Sequence, residues 1–343
     1  MPLNKQVLDL YTDYLVSSLG GLTTSTELSK LTNQTLSNDK ISRFLGGTYQ
    51  EKGKLQHTEY TSKDLWKLVK KSVREYETEN SYLVIDDIVE EKKYTDENEV
   101  NCYHFDHTLG RNVKGVNMLN FILVTPKNEL LQNNFKQVIK NEVNFKYVLI
   151  NSWFGSNETL KMINSFHKKY IVPLKSNRKL TLSHKNKLEE KWLKLDTLDE
   201  TTNQLIENKP IEVWLEGLNH GVQLIKQVFI NEDGSKGTQF LITNDFGLSK
   251  DEIVQHYKKR WQVEEYHKSI KTNLSLAKSP TKTTFTQINH FFCSIYVYLQ
   301  LEILTKSTKI TNHFQLKSKL YLTALQSAMN ELEVLRKGAG CER

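Results

Sequence analysis

The sequence predicts a mixed α/β fold whose central part is flanked by helical segments. Between residues 76 and 178, short apolar runs end in polar residues and alternate with amphipathic stretches, as buried strands and helices of one sheet do. Between residues 179 and 247, apolar and polar residues alternate, which indicates further strands. Residues 1–75 and 276–343 carry the three-to-four-residue apolar spacing of helices. These observations predict a sheet-based core that contains a β-rich insertion and lies between two helical regions.

The composition indicates a folded protein that suits a polyanionic partner. The 343 residues are 38% hydrophobic, which is enough for a sizeable core. The 47 Lys and Arg residues exceed the 40 Asp and Glu residues and give a net charge of +7, although many basic proteins bind no nucleic acid. The cysteines Cys102, Cys293 and Cys341 are far apart and odd in number, so we expect neither a disulfide framework nor a zinc site.

No segment of the sequence has the pattern of a signal peptide or of a membrane span. The N-terminal residues lack the charged and apolar regions of a secretory signal. The longest apolar stretch, Ile288–Leu304, is interrupted by four polar residues, so it predicts a buried helix. We therefore expect a cytoplasmic protein with no membrane partner.

The N-terminal region contains two short helical patterns that resemble a helix-turn-helix. They cover Thr26–Leu31 and Ser37–Leu45, and Ser37 has the residue type of an N-cap. The alternative is an ordinary small helical bundle. If the region binds DNA, the second helix would present Lys40, Ser42 and Arg43 to it.

Polar residues end two of the apolar runs in the predicted core. Asp86 and Asp87 follow Tyr82–Ile85, and Asn151 follows Tyr147–Ile150. Sites in open α/β sheets lie where strands emerge from the sheet, so these residues are candidates for a functional site. The other predicted elements are the strands Asn101–Phe105, Val116–Val124, Tyr170–Leu174, Ile211–Leu215, Gly221–Ile230 and Thr238–Ile242 and the helices Asn128–Val138 and Ser156–His167.

A charged stripe follows in the segment from Tyr257 to Lys271. On a continuous helix, Tyr257, Arg260, Glu264 and Lys271 fall within about 60° of one another. One carboxylate among a phenol and two cations suits phosphodiester chemistry, because the carboxylate can bind a metal ion while the cations hold phosphates. The alternative is a solvated helix face with an Arg260–Glu264 ion pair.

The spacing of these four residues resembles the signature of the bacterial insertion-sequence DDE transposases that carry a Tyr-Arg-Glu-Lys helix. Three further blocks are similar to that family and occur in its order: Leu83–Asn98 with Cys102–Asn117, Val148–Ile163 with Ile171–Arg178, and Leu276–Thr283. The resemblance implies a ribonuclease-H-like catalytic core that uses Mg²⁺, with Mn²⁺ as a substitute. It also implies action on double-stranded DNA in the nucleoid, at the terminal repeats of the element and at target DNA, by a homodimer.

The resemblance sets the expected domains and residue roles. Residues 1–75 would form a helical DNA-binding region, 76–178 and 248–275 the core, 179–247 the β-rich insertion and 276–343 a C-terminal helical region. Asp87 and Glu264 would bind metal, with Asp86 as the fallback for Asp87 because adjacent strand residues face opposite ways. The residues expected to contact DNA phosphates are Tyr257, Arg260, Lys271 and Arg178, the last as part of a basic band between residues 168 and 187.

One departure from the family pattern concerns the second catalytic Asp, whose position is taken by Asn151. An amide keeps one oxygen for metal coordination but loses the negative charge, so we expect weak metal binding and strongly reduced strand cleavage. Asp106 or His107 is an alternative ligand. The substitution is either introduced or the product of decay. The rival functions are a catalytically silent DNA-binding protein on the same fold and a metal-dependent nuclease without strand transfer.

Overall fold

The computed structural model describes residues 3–18, 23–106, 109–125, 130–132, 135–230, 233–278 and 281–338. The chain divides into two compact units. We call Met1–Lys70, Ile88–Met118 and Glu265–Arg343 the helical unit, and Lys71–Asp87 and Leu119–Glu264 the sheet unit. The domain boundaries expected from the sequence stay a prediction.

The helices are α1 Lys5–Ser17, α2 Ser25–Leu31, α3 Asn38–Leu45, α4 Ser62–Tyr76, α5 Phe135–Lys140, α6 Asn157–Ser165, α7 His184–Leu188, α8 Glu200–Asn208, α9 Lys250–Lys258, α10 Gln262–Thr272, α11 Thr284–Ser307 and α12 His313–Gly338. The strands are β1 Tyr49–Glu51, β2 Lys54–Gln56, β3 Tyr82–Glu91, β4 Asn101–Asp106, β5 Arg111–Val124, β6 Leu130–Gln132, β7 Tyr147–Ile150, β8 Lys169–Leu174, β9 Lys179–Thr181, β10 Leu193–Lys194, β11 Ile211–Leu215, β12 Gly221–Ile230 and β13 Lys236–Thr243. The mixed α/β class predicted from the sequence is confirmed.

The sheet unit is built on three parallel strands, in the order β3, β7, β8. All four residues of β7 are buried, and Leu83 and Val84 of β3 are almost completely buried. Strands covered on both faces consist of continuous apolar residues. The apolar run of β3 ends at Ile85, where its pairing with β7 also ends, and Asp86 follows within the same strand. The register pairs Ile85 with Ile150. This pairing sets Asp86 of β3 beside Asn151, the residue that follows β7.

The predicted β-rich insertion continues the same sheet. Its strands β11, β12 and β13 match the predicted segments closely, and β13 pairs antiparallel with β8. The predicted turn at residues 231–234 begins with Asn231 and Glu232, which lie outside the described residues. The predicted helix Asn128–Val138 is wrong in its first part. Leu130–Gln132 instead pairs with β5 as β6, and the helix α5 begins only at Phe135.

The helical unit packs its N-terminal helices on α11. Ser37 caps α3 by accepting a hydrogen bond from the backbone of Lys40, as predicted. The buried side chain of Asn289 on α11 donates to the carbonyl oxygens of Leu45 and Thr58. It also accepts from the backbone N–H of Tyr60, so one amide fixes the segment after α3 against α11. The predicted buried helix Ile288–Leu304 lies within α11, and no helix among the described residues has the length and apolarity to span a bilayer.

Candidate active site

A hydrogen-bonded cluster of four side chains lies beside the middle of β3 and the end of β7. We call Asp86, Asn151, Arg260 and Glu264 the Asp86 cluster. The side-chain nitrogen of Asn151 donates to Asp86 Oδ1 at 2.8 Å. The Asn151 oxygen accepts from the backbone N–H groups of Trp153 at 2.9 Å and Phe154 at 3.3 Å. Because those two partners only donate and the Asp86 carboxylate only accepts, the amide has one consistent orientation.

Asp86, and not the predicted ligand Asp87, faces Asn151. The two strands are parallel and in register, and neighbouring side chains along β3 point to opposite faces. Asp86 is 6% exposed, whereas Asp87 is half-buried and donates its backbone N–H to Asp86 Oδ1 at 3.1 Å. The fallback residue of the sequence-based prediction therefore occupies the position in the cluster.

Arg260 joins the two acids of the cluster. Its Nη1 lies 2.8 Å from Asp86 Oδ2, and both of its Nη atoms lie 3.3 Å from Glu264 Oε1. The predicted continuous helix is interrupted here, because α9 ends at Lys258 and a 3₁₀ turn carries Lys259–Trp261 before α10 begins. The Arg260–Glu264 contact survives that interruption, since both residues remain one turn apart.

Tyr257 and Lys271 are both held by protein groups. Burial raises the pKa of the Tyr257 phenol to about 12, and its hydroxyl lies 3.5 Å from the Ile150 carbonyl oxygen. Lys271 belongs to the helical unit, where its Nζ donates to the Val89 carbonyl oxygen at 2.8 Å and lies 3.9 Å from the Glu90 carboxylate. The Tyr257 phenol therefore stays protonated near neutral pH, and the Lys271 ammonium already has partners.

The predicted DNA contacts of α3 are exposed. Lys40, Ser42 and Arg43 all lie on its solvent side, and Arg43 forms an ion pair with Asp39 at 3.0 Å. Arg178 lies in the sheet unit, where it donates to the side-chain oxygen of Asn157. The exposed α3 face is compatible with both the DNA-binding and the solvated-surface interpretations.

The electrostatics of the Asp86 cluster are dominated by burial. Burial raises the pKa of Asp86 to about 6, and the adjacent Arg260 guanidinium opposes that rise. The side chain of Arg260 is 19% exposed and that of Asp86 is 9% exposed, so this ion pair is largely desolvated. A desolvated carboxylate depends on its partners, because removal of one partner leaves an uncompensated charge in a low-dielectric site.

The residues of the cluster do not fit a two-metal site. Both oxygens of Asp86 and one oxygen of Glu264 already accept hydrogen bonds from Asn151 or Arg260. Mg²⁺ takes oxygen ligands, and the amide oxygen of Asn151 is committed to two backbone N–H groups. Among the residues that the structure describes, no three His, Cys, Asp or Glu side chains form a group that could hold a metal ion. His107 lies outside the described residues, and Asp106 hydrogen-bonds to the backbone of Leu109 in the helical unit.

Two exposed tryptophans close in sequence to Asn151 and Arg260 were not identified as candidate site residues from the sequence. Trp153 is 63% exposed and Trp261 is 64% exposed. Trp153 follows Asn151 by two residues, and Lys175 places its ammonium 4.9 Å from the Trp153 ring centroid. Trp261 directly follows Arg260 in the chain. The only signal in the sequence was that Trp153 and Trp261 adjoin the motif residues. Their exposure could not be predicted, because it depends on the tertiary fold.

Comparison with known proteins shows that the chain matches the model of one protein family. No curated protein matches this chain. The family model described as the transposase DDE domain matches residues 91–299, more than half of the chain. The matched segment contains Asn151, Tyr257, Arg260, Glu264 and Lys271, whereas Asp86 precedes it. The large mixed sheet with flanking helices agrees with a ribonuclease-H-like transposase fold. The family resemblance seen in the sequence is thus confirmed, and this chain belongs to the transposase DDE domain family.

Proposed function

We propose that this chain is a DNA transposase that binds the ends of an insertion element, and that Asn151 cripples its strand cleavage. The observation that carries the proposal is the hydrogen bond from the Asn151 amide to Asp86 Oδ1 at 2.8 Å. In this cluster the amide supplies a donor where the family carries an acid. The Asn151 amide thereby hydrogen-bonds one oxygen of Asp86, and the Arg260 guanidinium compensates the charge at the other, without a divalent cation.

A carboxylate at position 151 would change the balance of charge. The atom that faces Asp86 would become an oxygen, and two carboxylates would lie within hydrogen-bonding distance of each other. Like charges at that separation repel strongly unless a cation lies between them or one carboxylate binds a proton. The present set of side chains has two acids and one arginine, so its net charge is one unit less negative than that of the set with Asp at position 151.

We assign the metal-ligand roles of the family to Asp86 and Glu264, with Asn151 as the defective third position. The family uses divalent cations, and Mg²⁺ or Mn²⁺ would take these two carboxylates once Arg260 withdraws. Two carboxylates and an amide support at most a weakened site. The assignment of Asp86 in place of the predicted Asp87 rests on the strand register and on the contact with Asn151.

The DNA contacts are proposed for both units. Lys40, Ser42 and Arg43 are exposed on α3 and suit the reading of terminal repeats. Arg178, Tyr257, Arg260 and Lys271 would contact the phosphate backbone after exchanging their present partners. The net charge of +7 supports a polyanionic substrate. We further propose that the DNA-bound form in the nucleoid is a homodimer on paired ends that engages target DNA.

A second candidate function is a catalytically silent DNA-binding protein on the same fold. The same observation favours it, because Asn151 and Arg260 supply hydrogen bonds to both acids of the Asp86 cluster without a metal ion. The two candidate functions differ in whether a carboxylate at position 151 restores strand cleavage.

The test compares the chain with its Asn151→Asp variant on a terminal-repeat duplex in Mg²⁺. We expect both proteins to bind the duplex and the variant to cleave it at least ~10²-fold faster, the factor typically lost when one group that stabilises the transition state electrostatically is removed. Thermal unfolding supplies a second measurement, because Mg²⁺ should raise the melting temperature of Asn151→Asp and leave the unsubstituted chain unchanged. Asn112→Asp, at an exposed residue of β5, is the matched control. Equal, robust cleavage by both proteins would overturn the role of Asn151. Binding without cleavage by both would show that Asn151 is not the only defect and would favour the silent protein.

A further inference from the structure

A short hairpin follows helix α3 in the helical unit. Its strands β1 and β2 pair antiparallel over three residues each, and Lys52 and Gly53 form the turn between them. Two paired strands are marginally stable at best in water on their own, because they lack a packed hydrophobic face. The β1–β2 hairpin therefore depends on contacts at its base to hold one position.

The base of the hairpin is fixed to the end of α3. Thr48 donates its backbone N–H to the Arg43 carbonyl oxygen at 2.8 Å, and Thr58 donates to the Gly47 carbonyl oxygen at 3.0 Å. Gly47 has a φ of +56°, and a Cβ there would lie 1.8 Å from the Thr58 carbonyl oxygen, so only glycine permits this approach. Asn289 of α11 donates to the same Thr58 carbonyl oxygen at 3.1 Å.

His57 adds a further contact at the base. Its Nδ1 lies 3.1 Å from the carbonyl oxygen of Gly46, the C-cap residue of α3. Its ring stacks on that of Phe285 of α11, with the ring centroids 5.5 Å apart. The hairpin is therefore held in a fixed position relative to the helix that carries the predicted DNA contacts.

The tip of the hairpin presents two lysines to solvent. Lys52 and Lys54 are exposed, and a Cβ on Gly53 between them would meet no described atom within 4 Å. At about 3.3 Å per residue, the tip lies about 10 Å from the start of β1. Within the part of the chain that the structure describes, neither lysine has a carboxylate partner, whereas Arg43 of α3 pairs with Asp39.

Lys52 occupies a turn position that its residue type disfavours. Both turn residues have positive φ, +49° at Lys52 and +76° at Gly53, as in the type I′ turn of a two-residue hairpin. Asn, Asp and Gly are preferred at the first position, because most other side chains are strained there. Local backbone preference therefore does not account for the lysine, whose distinguishing property is its positive charge.

We propose that Lys52 and Lys54 bind the phosphate backbone of duplex DNA beside the base pairs that α3 reads. The proposal rests on the DNA binding proposed above and adds a second contact region to it. A lysine ammonium binds phosphate as a compact point charge, and such contacts position a protein without reading sequence. A helix in the major groove lies in a space about 12 Å wide, so a hairpin that extends about 10 Å is long enough to reach a bordering strand.

The charges of this region favour a polyanion over a protein partner. Residues 37–57, which contain α3 and the hairpin, carry four cations and two acids. Of the hairpin residues 49–56, all of which the structure describes, Leu55 is the one exposed large apolar side chain. A protein interface is marked by a contiguous apolar patch, whereas single exposed apolar residues are ordinary on a surface.

The test measures DNA affinity against salt for the double variant Lys52→Asn and Lys54→Gln. Asparagine is preferred at the first turn position, so the charge is removed while the hairpin keeps its turn, and the melting temperature should stay equal or rise. We expect the slope of log affinity against log salt to fall by about two, with the same loss of affinity for terminal-repeat and unrelated duplexes. Lys52→Arg with Lys54→Arg keeps both charges and should keep the slope.

The matched control is Lys309→Ala with Lys319→Ala, which removes two exposed lysines elsewhere in the helical unit. An unchanged slope in the hairpin variant, an equal fall in the control, or a loss confined to terminal repeats would overturn the phosphate role. The unsubstituted chain separates the two proposals. Its failure to bind any duplex would overturn the proposed DNA binding as well, whereas normal binding with an unchanged slope in the hairpin variant would overturn only the hairpin contact.

Hydroxyl-radical footprinting at saturating protein locates the contact on the DNA. We expect the hairpin variant to lose protection of the sugar-phosphate backbone on one flank of the site and to keep protection over the base pairs that α3 reads. An unchanged footprint, or a uniform loss across the site, would contradict a flanking contact.

Discussion

The Asn151 side chain donates to Asp86 across the parallel pairing of β3 and β7, at a nitrogen–oxygen distance of 2.8 Å. This bond places an amide donor against a carboxylate. It orients Asn151 so that its oxygen caps the backbone of Trp153 and Phe154. The Asn151 side chain therefore links the loop after β7 to Asp86 in the middle of β3.

The first prediction concerns which aspartate, Asp86 or Asp87, is needed for cleavage. In the Asn151→Asp background, Asp86→Asn should abolish the restored cleavage, because Asp86 faces position 151 and Arg260. Asp87→Asn should leave most of it, because Asp87 lies on the other face of β3. Single-turnover cleavage of a terminal-repeat duplex measures both. If Asp87→Asn abolished cleavage and Asp86→Asn did not, Asp87 would be the metal ligand instead of Asp86.

The second prediction concerns the stability supplied by Arg260. Arg260→Ala leaves Asp86 in a desolvated site without its cation, and we expect a loss of about 3–5 kcal/mol in the free energy of unfolding. Arg43→Ala removes an exposed ion pair with Asp39 and should cost less than about 1 kcal/mol. Urea unfolding at pH 7.5 compares the two variants. Adding Asp86→Asn to Arg260→Ala should recover part of the loss, and no recovery would contradict a charge-based cause.

The third prediction concerns DNA recognition by α3. Replacing Lys40, Ser42 and Arg43 by alanine should reduce the preference for terminal repeats over unrelated duplexes, because these side chains are exposed on the predicted recognition helix. The loss of two cations should also lower the slope of affinity against salt by about two. Fluorescence anisotropy with both duplexes measures these effects. The double variant Lys194→Ala and Lys209→Ala removes two exposed cations of the sheet unit, and an equal loss of preference there would argue against a special role of α3.

The fourth prediction is a pH dependence of stability that originates at His290. This fully buried imidazole lies 2.9 Å from the Tyr11 hydroxyl through Nδ1 and 3.2 Å from two carbonyl oxygens through Nε2. Because carbonyls only accept, Nε2 carries the proton and Nδ1 accepts from Tyr11. Burial lowers the pKa of His290 to about 4, so below its ordinary value near 6.5 the unfolded chain binds a proton that the folded chain does not.

The sign follows from that difference in bound protons. Stability should fall as the pH drops from about 6.5 towards 4, and His290 should contribute about 2 kcal/mol of that fall between pH 7.5 and 5. His290→Gln keeps a donor and an acceptor but cannot titrate, so its unfolding free energy should depend less on pH. Urea unfolding at the two pH values measures the difference, and His184→Gln at an exposed histidine is the control. The same pH dependence in His290→Gln and in the unsubstituted chain would contradict the assignment.

Local sequence patterns determined much of the fold. The apolar runs before Asp86 and Asn151 specified the first four residues of β3 and all of β7, because strand segments buried on both faces consist of apolar residues. Ser37 marked the start of α3, because a serine hydroxyl satisfies a backbone N–H that the helix leaves unpaired. The spacing of Arg260 and Glu264 determined their contact, because both lie within one helical turn.

Only the tertiary structure decided the contacts that depend on register and on distant partners. Which of Asp86 and Asp87 faces Asn151 depended on the alignment of β3 with β7, since a shift of one residue exchanges the faces of a strand. The segment at Leu130–Gln132 became a strand because β5 offered it a pairing edge, which overrode its helical pattern. The exposure of the large apolar side chains of α12 was equally invisible in the sequence. Periodicity identifies the apolar side of a helix, but only the packed chain shows whether another part of the molecule covers it.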